Sequence, residues 1–182
     1  ARTDLIAMLA ARGIRSAALC PRAAHARPVP GSGDIELGDA AAHHLLALGH
    51  SQIAFMAGPG DAERSQRRLA GYRRALASRG SRAHRHFVCE TPLDYGAAFD
   101  IARSWLVPTI RPTAIIAESA EAARAVVQAA RSLKRSVPRE LSVLSLEECP
   151  GLARSEPAIS ALHQPFAQMF AAACQRLIEA SA

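Results

Sequence analysis

The stretch RPTAIIAESAE, Arg111 to Glu121, decides the fold class of this 182-residue chain. After a proline come five mostly β-branched or small apolar residues, 113–117, which predict a short buried strand. The alanine-rich run after Ser119 predicts a helix. Glu118 and Ser119 are therefore expected at the carboxyl end of a strand, which is the edge at which open α/β sheets bind ligands.

Helical and strand patterns alternate along the rest of the chain, which predicts an α/β fold with a parallel sheet covered by helices. Strands are predicted over residues 14–19, 52–57, 86–89, 113–117 and 141–146, and helices over 38–48, 65–79, 95–106 and 119–133. Residues 21–33 predict a loop, and 159–163 a short extended piece before a last helix. The strands that end near residues 57, 117 and 146 would bring arginines, carboxylates and a hydroxyl to one edge, as a polar small-molecule site requires.

The basic composition is weak evidence for nucleic-acid binding by these residues. The formal net charge is +6, but Lys134 is the only lysine and the arginines are scattered. The densest arginine group, 64–74, runs around a helix that also carries apolar residues, so a solvated helix surface is favoured over a surface that reads a DNA groove.

Cysteine, histidine and hydropathy patterns favour a soluble cytoplasmic protein without a metal or cofactor. The four cysteines have no CxxC spacing, and the histidine groups at 43–44 and 84–86 have no cysteine or acidic ligand at metal spacing. No apolar run approaches the roughly 18 residues that span a bilayer, and residues 1–20 lack the order of a signal peptide. No nucleophile, zinc-protease or phosphate-loop motif occurs, so no enzymatic activity is predicted.

Five segments, in order, resemble the effector-binding core of the LacI/GalR transcriptional regulators. They are HLLALGHSQIAFMAGPG, SQRRLAGYRRAL, RPTAIIAESAEAA, VPRELSVLSLEE and PAISALHQPFAQM. The resemblance implies a two-lobed type I periplasmic-binding-protein fold with the effector between the lobes. Residues 1–50 and 163–182 would form an incomplete amino-terminal lobe, and residues 51–162 the carboxyl-terminal lobe. Family members act as homodimers and bind operator DNA through a helix-turn-helix, which is not among these residues.

The resemblance also implies three ligand-binding residues: Arg68, Ser119 and Glu147. Arg68 matches the arginine of the family's RLxGY pattern, and a guanidinium can hold two acceptors of a sugar or a carboxylate; the alternative is a helix-surface arginine. Ser119 matches a position that contacts the effector, but serine is also a common helix N-cap. Glu147 falls on the acidic position of the GFDD motif, with an exposed acidic loop as the alternative.

The chain departs from the family pattern at Ala120, where aspartate is usual, and at Leu146, where an aromatic residue is usual. These departures put the usual sugar effectors in doubt. The sequence therefore predicts the effector-binding and dimerisation domain of a LacI/GalR-type regulator, sensing a small molecule such as a sugar or nucleoside. Two alternatives stay open, a solute-binding protein of a transporter and a structural dimer without a ligand. Arg68→Ala is expected to abolish the effector response and leave folding intact.

Overall fold

The computed structural model describes residues 8–14, 33–59, 62–81, 84–92, 94–164 and 166–179. The chain divides into two compact units, one formed by Asp34–His163 and the other by Ala1–Gly33 together with Gln164–Ala182. In the second of these units, residues 8–11 are helical and Phe166–Glu179 forms a helix. The predicted strand 14–19 and loop 21–33 lie almost entirely outside the described residues.

The unit Asp34–His163 is built on a parallel sheet, as the sequence predicts. Its described strands are β1 (Ile53–Ala57), β2 (Val88–Glu90), β3 (Ala114–Ala117), β4 (Ser142–Ser145) and β5 (Ser160–Ala161), in the spatial order β2-β1-β3-β4-β5. The helices are α1 (Asp34–Ala47), α2 (Glu63–Ser78), α3 (Tyr95–Leu106), α4 (Ala120–Ser132) and α5 (Pro150–Ala153), with a 3-10 turn at Arg85–Phe87. Phe166–Glu179 of the other unit is α6. Every strand pair is parallel, which confirms the α/β fold class.

The sheet separates two apolar layers because side chains on a strand alternate between its faces. In β3, Ile116 packs with Phe55 and Tyr72 in the layer under α1 and α2. The neighbouring Ile115 packs in the other layer, which contains residues of α3 and α4 such as Trp105. Burial on both faces explains why β3 is an unbroken apolar run rather than an alternating one.

Two glycines allow α1 and α2 to lie in direct backbone contact. A Cβ on Gly38 would lie 1.9 Å from the carbonyl oxygen of Arg68, and one on Gly71 would lie 1.9 Å from that of Ile35. This packing places α1 in the compact unit with the sheet, and the unit begins at Asp34. The structure thus groups α1 with α2 and with the strands that follow it, whereas the sequence places a domain boundary near residue 51. The division of the chain into two lobes stays a prediction.

Most element boundaries agree with the sequence patterns to within two residues. Helix α3 spans the predicted range, and Asp94 caps it by accepting a hydrogen bond from the backbone N–H of Ala97 at 2.9 Å. The strand predicted from residue 86 begins at Val88, since the 3-10 turn precedes it. Across the described part of the chain, no helix combines the length and the apolar character needed to cross a membrane.

Candidate functional site

The chain segments that follow β1, β3 and β4 meet at the carboxyl edge of the sheet. The backbone N–H of Glu118 donates to the carbonyl of Met56 at 3.1 Å, and that of Leu146 donates to the carbonyl of Ala117 at 2.9 Å. These bonds extend the parallel pairing one residue beyond the strands. The side chains just past the strands are therefore held beside one another, where parallel sheets bind ligands.

Arg68, on α2, is buried at this edge between two carboxylates. Its Nε donates to Oδ1 of Asp34 at 2.9 Å, and its Nη1 donates to Oε1 of Glu118 at 3.1 Å. Relative exposure is 2% for Arg68, 6% for Asp34 and 5% for Glu118. We call these three residues the buried ion triad. Charges so deeply buried need partners of opposite sign. Here Arg68 is the partner of both carboxylates.

Glu118 is the most heavily hydrogen-bonded member of the triad. Besides Arg68, it accepts from the backbone N–H of Gly58 at 2.6 Å and from the hydroxyl of Ser65 at 3.0 Å. The donors come from α2 and from the segment after β1, and Glu118 itself follows β3. Its carboxylate therefore joins three parts of the edge. These donors satisfy a carboxylate that is almost completely shielded from solvent.

Ser119 and Glu147 both bind the start of α4. The hydroxyl of Ser119 accepts from the backbone N–H of Ala122 at 3.1 Å, so Ser119 is the N-cap of the helix. Oε2 of Glu147 accepts from the backbone N–H of Ala120 at 3.0 Å. A carboxylate here is stabilised by the positive end of the helix dipole. Ser119 is half-buried, whereas Glu147 is exposed.

The loop that presents Glu147 is fixed by the buried side chain of Ser145. Its hydroxyl donates to the backbone carbonyl of Glu147 at 2.7 Å and accepts from the backbone N–H of Glu147 at 3.1 Å. Glu148, the next residue, lies 2.6 Å from Nδ1 of His163 instead of binding α4. The two adjacent glutamates thus have different partners, although the sequence alone does not distinguish them.

The structure brings the three predicted ligand-binding residues to one edge but gives each an internal partner. Arg68 contacts Glu118, which precedes Ser119, and Ser119 shares the start of α4 with Glu147. The sequence interpretation assigned no role to Asp34 and no partner to Glu118. A signal was available for Glu118, because a carboxylate directly after a buried apolar strand needs a buried donor. The ligand roles stay predictions.

The Cys89 thiol is held in its protonated form, and the described residues contain no metal-binding cluster. Burial raises the pKa of the Cys89 thiol to about 12, so this cysteine stays protonated near neutral pH. No group of three or more histidine, cysteine or acidic side chains suited to a metal ion occurs among the described residues.

Residues 42–181 match the family described as periplasmic binding protein-like domain. The chain is 28% identical over 128 residues to the ribose operon repressor of Escherichia coli (strain K12), a match that covers 70% of this chain and 39% of that protein. It is 30% identical over 136 residues to the HTH-type transcriptional regulator DegA of Bacillus subtilis (strain 168), covering 75% and 40% respectively. The chain thus spans less than half the length of these relatives.

Among solved structures, a transcriptional regulator CelR–cellobiose complex is similar, with a TM-score of 0.78 and 25% sequence identity. The match covers 94% of this chain and 54% of that chain. The similarity therefore extends over nearly the whole of this chain.

Proposed function

Because the chain belongs to the family of periplasmic binding protein-like domains, as an effector-binding domain of the LacI/GalR type, we propose that it senses a sugar for a transcriptional repressor. The named relatives are transcriptional regulators and not enzymes. One of them is a repressor of a ribose operon, and a similar regulator was solved with cellobiose. These names make ribose and cellobiose the first ligands to test.

One observation of the geometry supports this function above others. Ser119 and Glu147 lie together at the start of α4, and Glu147 is exposed there. A carboxylate can accept hydrogen bonds from several sugar hydroxyls, and a serine hydroxyl can both donate and accept. Polar groups held in place by their own hydrogen bonds suit a small polar ligand because little further ordering is needed on binding.

Sugar binding would act on DNA by shifting a conformational equilibrium in the intact repressor. Couplings between two binding sites are typically worth about 1 to 3 kcal/mol, which changes operator affinity roughly 5- to 150-fold. We further propose that the repressor is a homodimer in the cytoplasm, and that a helix-turn-helix outside these residues contacts the operator DNA. Neither a cofactor nor a metal ion is part of this proposal.

The test is thermal unfolding of the intact protein expressed from its gene, with ribose, cellobiose and a panel of other uncharged sugars. An effector present at 100 times its dissociation constant should stabilise the protein by about 2.7 kcal/mol. If no sugar in the panel raises the melting temperature, the proposed sensing function is wrong, and a structural dimer without a ligand becomes the better explanation.

Two N-cap variants separate the ligand role of Ser119 from its structural role. Ser119→Ala and Asp94→Ala each remove an N-cap of a helix and should each cost about 1 kcal/mol of stability. Asp94 caps the helix after β2, two strands and roughly 10 Å away from β3. Only Ser119→Ala should also weaken the sugar-induced stabilisation. Equal sugar responses in the two variants would show that Ser119 is a cap and nothing more.

A further inference from the structure

Two cationic groups at the carboxyl edge of the sheet, the Arg68 guanidinium and the positive end of α4, are each held by the protein's own carboxylates. The Arg68 guanidinium is held by Asp34 and Glu118. The positive end of α4 is held by Glu147, whose carboxylate accepts from the backbone N–H of Ala120 at 3.0 Å. An anionic ligand would have to displace one of these internal anions, or approach it against like-charge repulsion.

The balance of charge at the edge points the same way. Asp34, Glu118 and Glu147 are three carboxylates, and the guanidinium groups that pair with the first two are those of Arg68 and Arg64. Nε of Arg64 lies 3.5 Å from Asp34. Among the described residues the edge therefore carries an excess of negative charge. Arg67 on the same helix does not correct this excess, since Glu63 pairs with it at 3.6 Å.

We propose that Glu118 and Glu147 determine the charge selectivity of the site, so that it binds an uncharged sugar and rejects the phosphorylated or carboxylated form of that sugar. This inference rests on the proposed sugar-sensing function and makes it more specific. Glu118 neutralises the arginine that could hold a phosphate or a carboxylate. Glu147 accepts from the start of α4, where the free N–H groups could otherwise hold a phosphate or a carboxylate. Its carboxylate also offers an acceptor to sugar hydroxyl groups.

The sequence resemblance left the ligand of Arg68 open between a sugar hydroxyl and an effector carboxylate. The buried ion triad decides between them, because the arginine already has two carboxylates at 2.9 and 3.1 Å. A third anion would add charge to a group of three that is already net negative and nearly free of solvent. A hydroxyl group adds none.

The experiment compares matched ligands on the intact protein by isothermal titration. Ribose is compared with ribose 5-phosphate, glucose with glucuronate, and inorganic phosphate is titrated alone. The wild-type protein should bind the anionic member of each pair at least about tenfold more weakly than the neutral member, because like charges repel at short range. Equal or tighter binding of an anionic sugar would overturn the inference while leaving sugar sensing intact.

Glu147→Gln and Glu148→Gln form a matched pair of variants for this experiment. Both remove one negative charge from adjacent exposed positions, but only Glu147 binds the start of α4, while Glu148 pairs with His163. Glu147→Gln should bind inorganic phosphate at least about tenfold more tightly than the wild-type protein, and Glu148→Gln should not. A gain of the same size in both variants would overturn the inference, because it would reflect net charge alone.

The phosphate and sugar titrations separate the two proposals. Phosphate binding gained by Glu147→Gln alone supports the charge selectivity whichever sugar is bound. Glu118→Gln is a second variant for this titration, with circular dichroism as the check that this buried substitution leaves the fold intact. It should gain phosphate binding at the carboxyl edge, because the positive charge of Arg68 is then less fully compensated. If neither variant gains phosphate binding, the charge selectivity is wrong. If no neutral sugar binds any variant, the sensing function fails instead.

Discussion

Replacement of Arg68 by methionine should destabilise the protein by several kcal/mol, because the change leaves two buried carboxylates without their cation. Asp34 and Glu118 have side-chain exposures of 7% and 5%, so water cannot replace the guanidinium. Glu118 would keep the backbone of Gly58 and the hydroxyl of Ser65. Among the described residues, Asp34 would keep only Arg64 at 3.5 Å. Removal of one partner from a buried ion pair typically costs about 3 to 5 kcal/mol.

Arg74→Met is a matched control for this substitution. Arg74 lies on the same helix, and its Nε is 2.9 Å from Asp39 of α1, the same distance as Arg68 from Asp34 of α1. The difference is burial, since the side chain of Arg74 is 55% exposed and that of Arg68 is 3% exposed. Solvent screens the outer pair, so Arg74→Met should leave the free energy of unfolding nearly unchanged.

Urea denaturation followed by circular dichroism measures both variants. Glu118→Gln, added to Arg68→Met, removes one of the two unpaired charges and should restore part of the lost stability. A loss of less than about 1 kcal/mol in Arg68→Met would refute the buried ion triad, since that is the range of an exposed pair. The sequence alone predicted that Arg68→Ala would leave folding intact, and the burial of Arg68 predicts the opposite.

Three further predictions concern stability. Gly38→Ala should cost about 3 kcal/mol or more of stability in thermal melts, because the new methyl group would overlap the backbone of α2 at 1.9 Å. Gly96→Ala is the control and should not destabilise the protein, because its Cβ would have no neighbour nearer than 3.4 Å. Burial lowers the pKa of His50 below its usual 6.5, so protonation of this ring opposes folding. The free energy of unfolding should therefore fall as the pH drops below 6.5, and it should fall by less in His50→Gln. Tyr72→Phe should cost about 1 to 3 kcal/mol in urea denaturation, because it leaves the buried carbonyl of Ile53, now bonded at 2.7 Å, without a donor; an unchanged midpoint would contradict this contact.

The local patterns of the sequence were sufficient for the elements and for the class of fold. The apolar run of β3 predicts a buried strand, and Ser119 marks the start of α4 as a possible N-cap that the structure contains. These features depend on residues a few positions apart in the chain. The parallel sheet follows from their alternation, because parallel strands need a crossover helix between them.

Only the tertiary structure decided what the charged residues at the carboxyl edge do. Arg68 pairs with Asp34 and Glu118, which are 34 and 50 positions away in the chain, and no periodic pattern relates residues at such separations. The same holds for α1. The sequence groups this helix with the residues before it, whereas the backbone contacts at Gly38 and Gly71 join it to the unit that contains the sheet. Hydrophobic periodicity is a property of neighbouring residues and can be read from the sequence. The partner of a buried charge is set by which side chains the completed fold brings within about 3 Å, where desolvation makes the pairing obligatory.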